Sequence, residues 1–210
     1  VVHSYFGIRN VSIGGDEILL NGRRRFLRLV LDQGYYPDGI YTAPSDDDLR
    51  RDIRSSKEMG FDGARLHQKV FEPRFLYWAD RLGYLVTGEY ADWGADLSNP
   101  MAREAILDEW FEVIERDINH PSIIFWTPFN ERVFKRQDEP VADFLSRMYA
   151  ITKSLDPTRP VIDSSGYVHV DTDIYDVHDY EQDPSAFSSH YDEFGRTGRG
   201  LWTNYAEESA

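Results

Sequence analysis

The chain has no cysteine. A disulfide framework, a thiolate metal site and a cysteine nucleophile are therefore excluded, and redox compartment leaves no mark on the composition. Long hydrophobic runs are missing too. No window approaches the roughly 18 consecutive apolar residues of a membrane-spanning helix, so no membrane partner is expected. Basic residues are scarce: 23 Lys plus Arg stand against 37 Asp plus Glu, a formal charge of −14. Such a surface repels phosphate backbones, which argues against nucleic acid as a partner. His-Glu-x-x-His is absent, as is a His-x-His after the first strand, so the usual signatures of a zinc site are missing and no metal is expected. There is no Gly-x-Ser-x-Gly elbow. The glycine-rich stretch Gly195–Gly200 follows no apolar strand and lacks the Lys-Ser/Thr of a phosphate loop. The opening residues, Val1-Val2-His3-Ser4-Tyr5, lack an initiator Met and the basic and apolar stretches of a secretory leader. The sequence thus reads as a piece of a longer chain and leaves the compartment open. The sequon Asn10-Val11-Ser12 matters only for a secreted protein.

What is present is a core. Hydrophobic residues make up 41% of the 210 residues and aromatics 14%, which excludes disorder and suits one domain or most of one. Residues Ile8 to Phe26 read as a hairpin, with turn signals at Gly14-Gly15-Asp16 and Asn21-Gly22. Phe26–Leu31 reads as a first buried strand ending at Asp32. Ser45 starts a helix with a capping pattern to Asp48, and Gly60 ends it. The further strands are expected at Gly63–His67, Tyr84–Glu89, Ser122–Trp126, Pro160–Asp163 and Asp173–His178. Helices are expected between them from Pro73 to Leu82, over 100–118, and along the stripe Val141, Phe144, Leu145, Met148, Ile151, Leu155.

Strand and helix alternating in this way imply a parallel α/β sheet covered by helices, either an open doubly wound sheet or a (β/α)8 TIM barrel. Six βα units leave such a barrel incomplete, since eight take about 250 residues. In both folds ligands sit just beyond the strand ends. Asp32, His67, Glu89, Asn130, Glu131, His178 and Tyr180 all fall there.

Glu131 is the sharpest candidate. A carboxylate at the end of a buried apolar strand is costly unless it faces a cleft. The nearby Trp126 offers an apolar wall that would raise its pKa, as a general acid requires. Asn130 can donate a hydrogen bond to a substrate hydroxyl. The other reading of Glu131 is a solvated residue starting the next helix. Glu89 reads as a second carboxylate, a hydroxyl ligand or a partner of Arg65, with support favoured over chemistry. Arg65 and His67 share one strand face, which suits both a cleft and a buried Arg–carboxylate pair. His178 and Tyr180 can hydrogen-bond a sugar hydroxyl or a carboxylate, or His178 can be a core histidine. Tyr35, Tyr36, Trp93 and Trp202 are loop aromatics that either stack on sugar rings or plug gaps. A metal-dependent barrel hydrolase built on Asp32, His67 and His178 is a remote third reading.

The run Asn119-His120-Pro121-Ser122-Ile123-Ile124-Phe125-Trp126 leading to Phe129-Asn130-Glu131 resembles glycoside hydrolase family 2, which includes β-galactosidases, β-glucuronidases and β-mannosidases. Phe6-Gly7-Ile8-Arg9 with Leu20-Asn21-Gly22 is similar to that family's lead-in to its barrel. Leu49–His67 and Phe75–Glu89 resemble its second and third βα units. The resemblance implies a lead-in over residues 1–25 and a TIM-barrel domain over 26–210. It implies a retaining exo-β-glycosidase with Glu131 as general acid/base and Asn130 on the substrate 2-hydroxyl. Asp32, Arg65, His67, Glu89, Trp126, His178 and Tyr180 complete the expected sugar site. No cofactor is needed. The implied partners are a carbohydrate, upstream β-sandwich domains and the rest of the barrel. Open strand edges would also favour homo-oligomers. The nucleophile is expected to be a second Glu after the seventh strand, beyond Ala210. The local match at Glu193 lies 15 residues past His178 (193 − 178), too close for a helix and a strand. A non-catalytic carbohydrate-binding remnant of such a barrel is the alternative.

Overall fold

Side-chain period and turn chemistry divide the chain into an antiparallel lead-in and a parallel sheet with helices. The structure, a computed structural model, describes residues 1, 4–133 and 139–203. In the lead-in, β1 (Val11–Gly14), β2 (Glu17–Leu20) and β3 (Arg23–Arg24) form one antiparallel sheet in that order. The expected single hairpin is thus a three-stranded meander. Its second turn, Asn21-Gly22, has φ of 53° and 71°, as a tight two-residue turn demands of both central residues.

The main sheet follows. Its strands are β4 (Leu29–Asp32), β5 (Gly63–Leu66), β6 (Leu85–Glu89) and β7 (Ile123–Thr127), all parallel and in sequential order. The helices α1 (Asp46–Glu58), α2 (Pro73–Leu82) and α3 (Pro100–Asp117) make the crossovers. Each starts where local chemistry dictates. Ser45 accepts from the Asp48 N–H ahead of three acidic residues, which satisfies an orphan donor and suits the helix dipole. Pro73 opens α2, and Gly83, at φ 64°, closes it in the left-handed conformation that glycine adopts without strain. Asn99 accepts from the Met101 N–H at the head of α3.

Beyond β7 the sheet becomes irregular. Strand β8 (Phe129–Asn130) pairs in parallel with β9 (Ser164–Ser165), with α4 (Glu139–Leu155) between them and α5 (Pro184–Thr197) after them. This corrects three sequence expectations. The expected first strand begins only at Leu29 and forms the edge of the sheet, where Phe26 is 81% and Leu31 54% exposed. The expected fifth strand touches the sheet through a single Val161–Trp126 bridge, and regular pairing shifts to Ser164–Ser165. The expected sixth strand, Asp173–His178, joins no ladder. The Asp173 N–H bonds to the Val161 carbonyl at 2.9 Å, and the Asp176 carbonyl lies 3.0 Å from His169 Nε2. Isolated and side-chain hydrogen bonds take the place of a strand partner there.

The core lies between sheet and helices. Leu49 and Ile53 from α1, Phe75 and Leu76 from α2, Ile106, Trp110 and Ile114 from α3, and Leu145 and Met148 from α4 are buried together. Trp110 and Trp126 meet edge to face at 5.7 Å. Each indole N–H has a partner, Thr152 Oγ1 and Asp156 Oδ2 respectively, both at 2.8 Å, as buried indoles require.

Gly88 permits this packing. A Cβ there would stand 2.4 Å from the Trp126 ring, and that ring is fully buried. Gly88→Ala is expected to destabilise the fold by about 1–3 kcal/mol through overpacking. A lower denaturation midpoint with unchanged slope is the signature to look for.

Candidate active site

The C-terminal ends of β4 to β8 surround a cleft of about 510 Å³. Its walls are Gln33, Tyr35, Tyr41, His67, Gln68, Ala91, Trp93, Asn130 and Glu131. This is the end of a parallel α/β sheet where ligands bind.

Beneath the cleft lies a buried ion pair. Arg65 projects from β5 and Glu89 ends β6, with Arg65 Nε 2.5 Å and Nη2 3.4 Å from the two carboxylate oxygens. The Gln68 N–H at 3.1 Å and Thr87 Oγ1 at 3.3 Å complete the shell of donors around Glu89. Burial pushes the Glu89 carboxyl upward, and the Arg65 charge opposes it. Every partner is a donor, so the group is held as a carboxylate. Arg65 reaches further: Nη2 donates to Asn130 Oδ1 at 2.6 Å, and Nη1 lies 2.9 Å from His178 Nε2.

That last contact sets the His178 tautomer. A guanidinium can only donate, so Nε2 accepts and Nδ1 carries the proton. Nδ1 stands 2.6 Å from Glu131 Oε1 and donates to it. The Tyr180 hydroxyl donates to the same oxygen. Glu131 itself has φ 49°, a left-handed conformation that is uncommon for a residue with a side chain. Its N–H bonds to the Ser165 carbonyl at 2.8 Å, which locks the turn. Burial raises the Glu131 carboxyl, but the hydrogen bonds from Tyr180 and His178 and the charge of Arg65 leave it below the usual range.

Two expectations therefore change. Trp126 does not wall the cleft: it is fully buried in the core, its ring against Trp110 and its N–H on Asp156. The apolar wall expected to raise Glu131 is thus absent, and hydrogen-bond donors lower it instead. Asp32 also stands apart, since it is not among the cleft-lining residues and its Oδ1 caps the turn at the Gly34 N–H, 2.8 Å away. The structure brings together Asn130, Glu131, Arg65, His67, Glu89, His178 and Tyr180. His67 lies in the wall, where burial first and then the Arg65 charge lower its pKa to about 4, so it is neutral near pH 7. Asp32, His67 and His178 do not form a metal trio. Among the described residues no group of three or more His, Asp or Glu is placed to hold a metal ion. Glu193 sits on α5, an exposed helix. Tyr35 and Trp93 line the cleft, whereas Trp202 stacks on His190 at 4.4 Å.

Several contributors were not expected. Asp92, 1% exposed, accepts from Gln68 Nε2 at 3.1 Å, the Asn130 N–H at 3.1 Å and Arg132 Nε at 2.9 Å. It braces the Asn130-Glu131 turn. Lys69 Nζ donates to the Gly34 and Tyr41 carbonyls at 2.7 and 2.8 Å, so it pins the loop that carries Tyr35 and Tyr41. The position of Gln68 and Asp92 just past strand ends was the available signal for those two.

The chain matches the family described as glycosyl hydrolases family 2, TIM barrel domain, over residues 11–206. It belongs to that family. A β-galactosidase of Pseudoalteromonas haloplanktis is 29% identical over 190 residues, 81% of this chain and 18% of that protein. The Rattus norvegicus β-glucuronidase is 27% identical over 168 residues, 74% of this chain and 24% of its own. The chain thus spans about a fifth of the length of these curated relatives. Among solved structures, a Ruminococcus gnavus β-glucuronidase in complex with D-glucuronic acid superposes with TM-score 0.69 at 27% identity, covering 77% of this chain and 27% of that one. A Parabacteroides merdae β-glucuronidase gives 0.67 at 25%, covering 74% and 20%.

Behind this family 2 cleft lies a second charge cluster. His169 Nδ1 is 2.7 Å from Asp163 Oδ1, and Nε2 is 3.2 Å from Asp176 Oδ1. Burial alone would lower the imidazole, but the hydrogen bonds to Asp163 and Asp176 outweigh it and push the pKa from 6.5 up to about 10. A folded-state pKa above the unfolded one stabilises fully below the unfolded value and is lost as pH rises through the folded one. Stability is therefore expected to decline between about pH 6.5 and 10. His169→Gln is expected to be less stable at pH 6 and to show a flatter decline in denaturant titrations across that window.

Proposed function

We propose that this chain is the part of a retaining exo-β-glycosidase barrel that carries the general acid/base, Glu131. The observation that carries the reading is Glu131 itself. It ends a parallel strand in a left-handed turn, faces a 510 Å³ cleft, and has two side-chain donors on one carboxylate oxygen. Asn130, oriented by Arg65, holds the sugar 2-hydroxyl. Residues 1–25 lead into the barrel and residues 26–210 supply its first βα units.

In the first step Glu131 protonates the leaving oxygen while a second carboxylate attacks the anomeric carbon. In the second it deprotonates a water that releases the sugar with retained configuration. Glu89 is unsuited to the attack, because it is 3% exposed and held by four donor contacts. The nucleophile is proposed to lie C-terminal to residue 210, about 5 Å from Glu131 in the assembled site. Its negative charge would reverse the downward shift of Glu131 and keep the acid protonated near neutral pH, since like charges oppose ionisation. Neutral His67 and the aromatic rim of Tyr35 and Trp93 would receive the sugar and its leaving group. The galactoside and glucuronide names of the relatives suggest those sugars as the first to try.

The full-length protein is expected to hydrolyse one of the nitrophenyl β-galactoside, glucoside, glucuronide or mannoside substrates. Glu131→Gln is expected to lower that turnover by about 10²- to 10⁴-fold, the usual worth of general acid–base catalysis. Unchanged turnover in the variant would remove Glu131 from this role.

A further inference from the structure

We propose that the Asp163–His169–Asp176 cluster is a positioning device for Glu131. This inference rests on the reading of Glu131 as the acid/base. None of the three residues lines the cleft, so they act through others.

Asp176 is the centre of the device. Its Oδ2 accepts the Ser165 hydroxyl at 2.5 Å, and its Oδ1 accepts the Gly166 N–H at 3.0 Å. The same Oδ1 is 3.2 Å from His169 Nε2. Asp163, fully buried, holds the other side of the imidazole at 2.7 Å and accepts the Val170 N–H at 2.6 Å. Two carboxylates and a cation between them tie residues 163–170 to the segment that carries His178 and Tyr180.

The tied segment is the bed of Glu131. The Ser165 carbonyl takes the Glu131 N–H, and Ser164 Oγ takes the Arg132 N–H at 3.2 Å. The His178 ring rests on Gly166. A Cβ on that glycine would stand 2.7 Å from His178 Nδ1, and its φ of 106° suits glycine alone. Ser165 Oγ lies 3.0 Å from His178 Nε2. Both the backbone of Glu131 and the imidazole that donates to its carboxylate are thereby indexed to the pair Ser165-Gly166, which Asp176 holds. A shift of this pair moves the acid relative to the scissile oxygen, and a displacement near 1 Å can cost about 100-fold in rate.

The test uses the full-length protein. Asp176→Asn keeps the shape but can accept only one of the two hydrogen bonds from Ser165 and Gly166. Ser165→Ala removes only the hydroxyl between Asp176 and His178, and it serves as the probe if the first variant fails to fold. The readout is kcat/KM, which reports the bond-breaking step, on an alkyl β-glycoside and on a dinitrophenyl β-glycoside of the same sugar. The alkyl leaving group needs a proton and the dinitrophenolate does not. A displaced acid is expected to lower kcat/KM by roughly 10- to 100-fold on the alkyl substrate, with much less change on the activated one. A crystal structure of the variant is expected to show His178 moved off Gly166 and its contact with Glu131 lengthened. An equal fall on both substrates, or wild-type rates with His178 in place, would overturn the proposal. Glu131→Gln runs beside these variants. If it keeps wild-type turnover, the acid/base reading fails. If it is inactive while Asp176→Asn and Ser165→Ala behave as wild type, the positioning proposal fails alone.

Discussion

The site depends on one guanidinium. Arg65 leaves water to sit under the cleft, a transfer that is unfavourable unless its N–H groups and its charge are matched. Glu89 supplies the charge, and Asn130 and His178 take further N–H groups. Strands β5, β6 and β8 and the segment after β9 are thus fastened at a single planar fork. A lysine would offer the charge without that geometry. The consequence reaches Glu131, because the proton on His178 Nδ1 is there only because Arg65 occupies the other ring nitrogen.

Two of the four left-handed non-glycine residues among the described residues stand in the same place. Glu131 and Gln68 both adopt left-handed conformations, at φ 49° and 50°. Each is over-determined by its neighbours: the Gln68 N–H and side chain bond to Glu89 and Asp92, and the Glu131 N–H bonds to Ser165. Strain of this kind persists only where surrounding contacts enforce it. Here it turns two side chains at strand ends toward one cleft.

The charge state of Glu131 is also a collective property. Within the described residues Glu131 meets only donors and positive charge, and its carboxyl is lowered accordingly. The proposed chemistry needs the opposite shift, and a second carboxylate about 5 Å away would supply it. The aromatic rim proposed to receive a sugar, by contrast, sits on loops. The Gly34–Tyr41 stretch is pinned by Lys69, and Trp93 follows β6.

The sequence by itself determined the alternation of strands and helices and the helix caps at Ser45 and Gly83, because these rest on short-range period, capping and turn chemistry; that alternation suits an open doubly wound sheet as well as a barrel, and the family resemblance of the motifs selected the barrel. It also marked Asn130 and Glu131, through the residues around them and the family resemblance, since a strand-end Glu alone is more often a solvated loop residue. It misplaced Trp126, because strand alternation does not say which face meets the core and which the cleft; Gly88 opens the space that takes this ring inward. It overextended the strands after β7, because hydrophobic letters at Pro160–Asp163 and Asp173–His178 carry no information about their hydrogen-bond partners. Only the tertiary structure decided the ion pair of Arg65, the bracing by Asp92, and the His169 cluster behind Glu131. Those contacts join residues tens of positions apart, and burial and mutual geometry, which no local pattern encodes, determine whether such charges hold the site together.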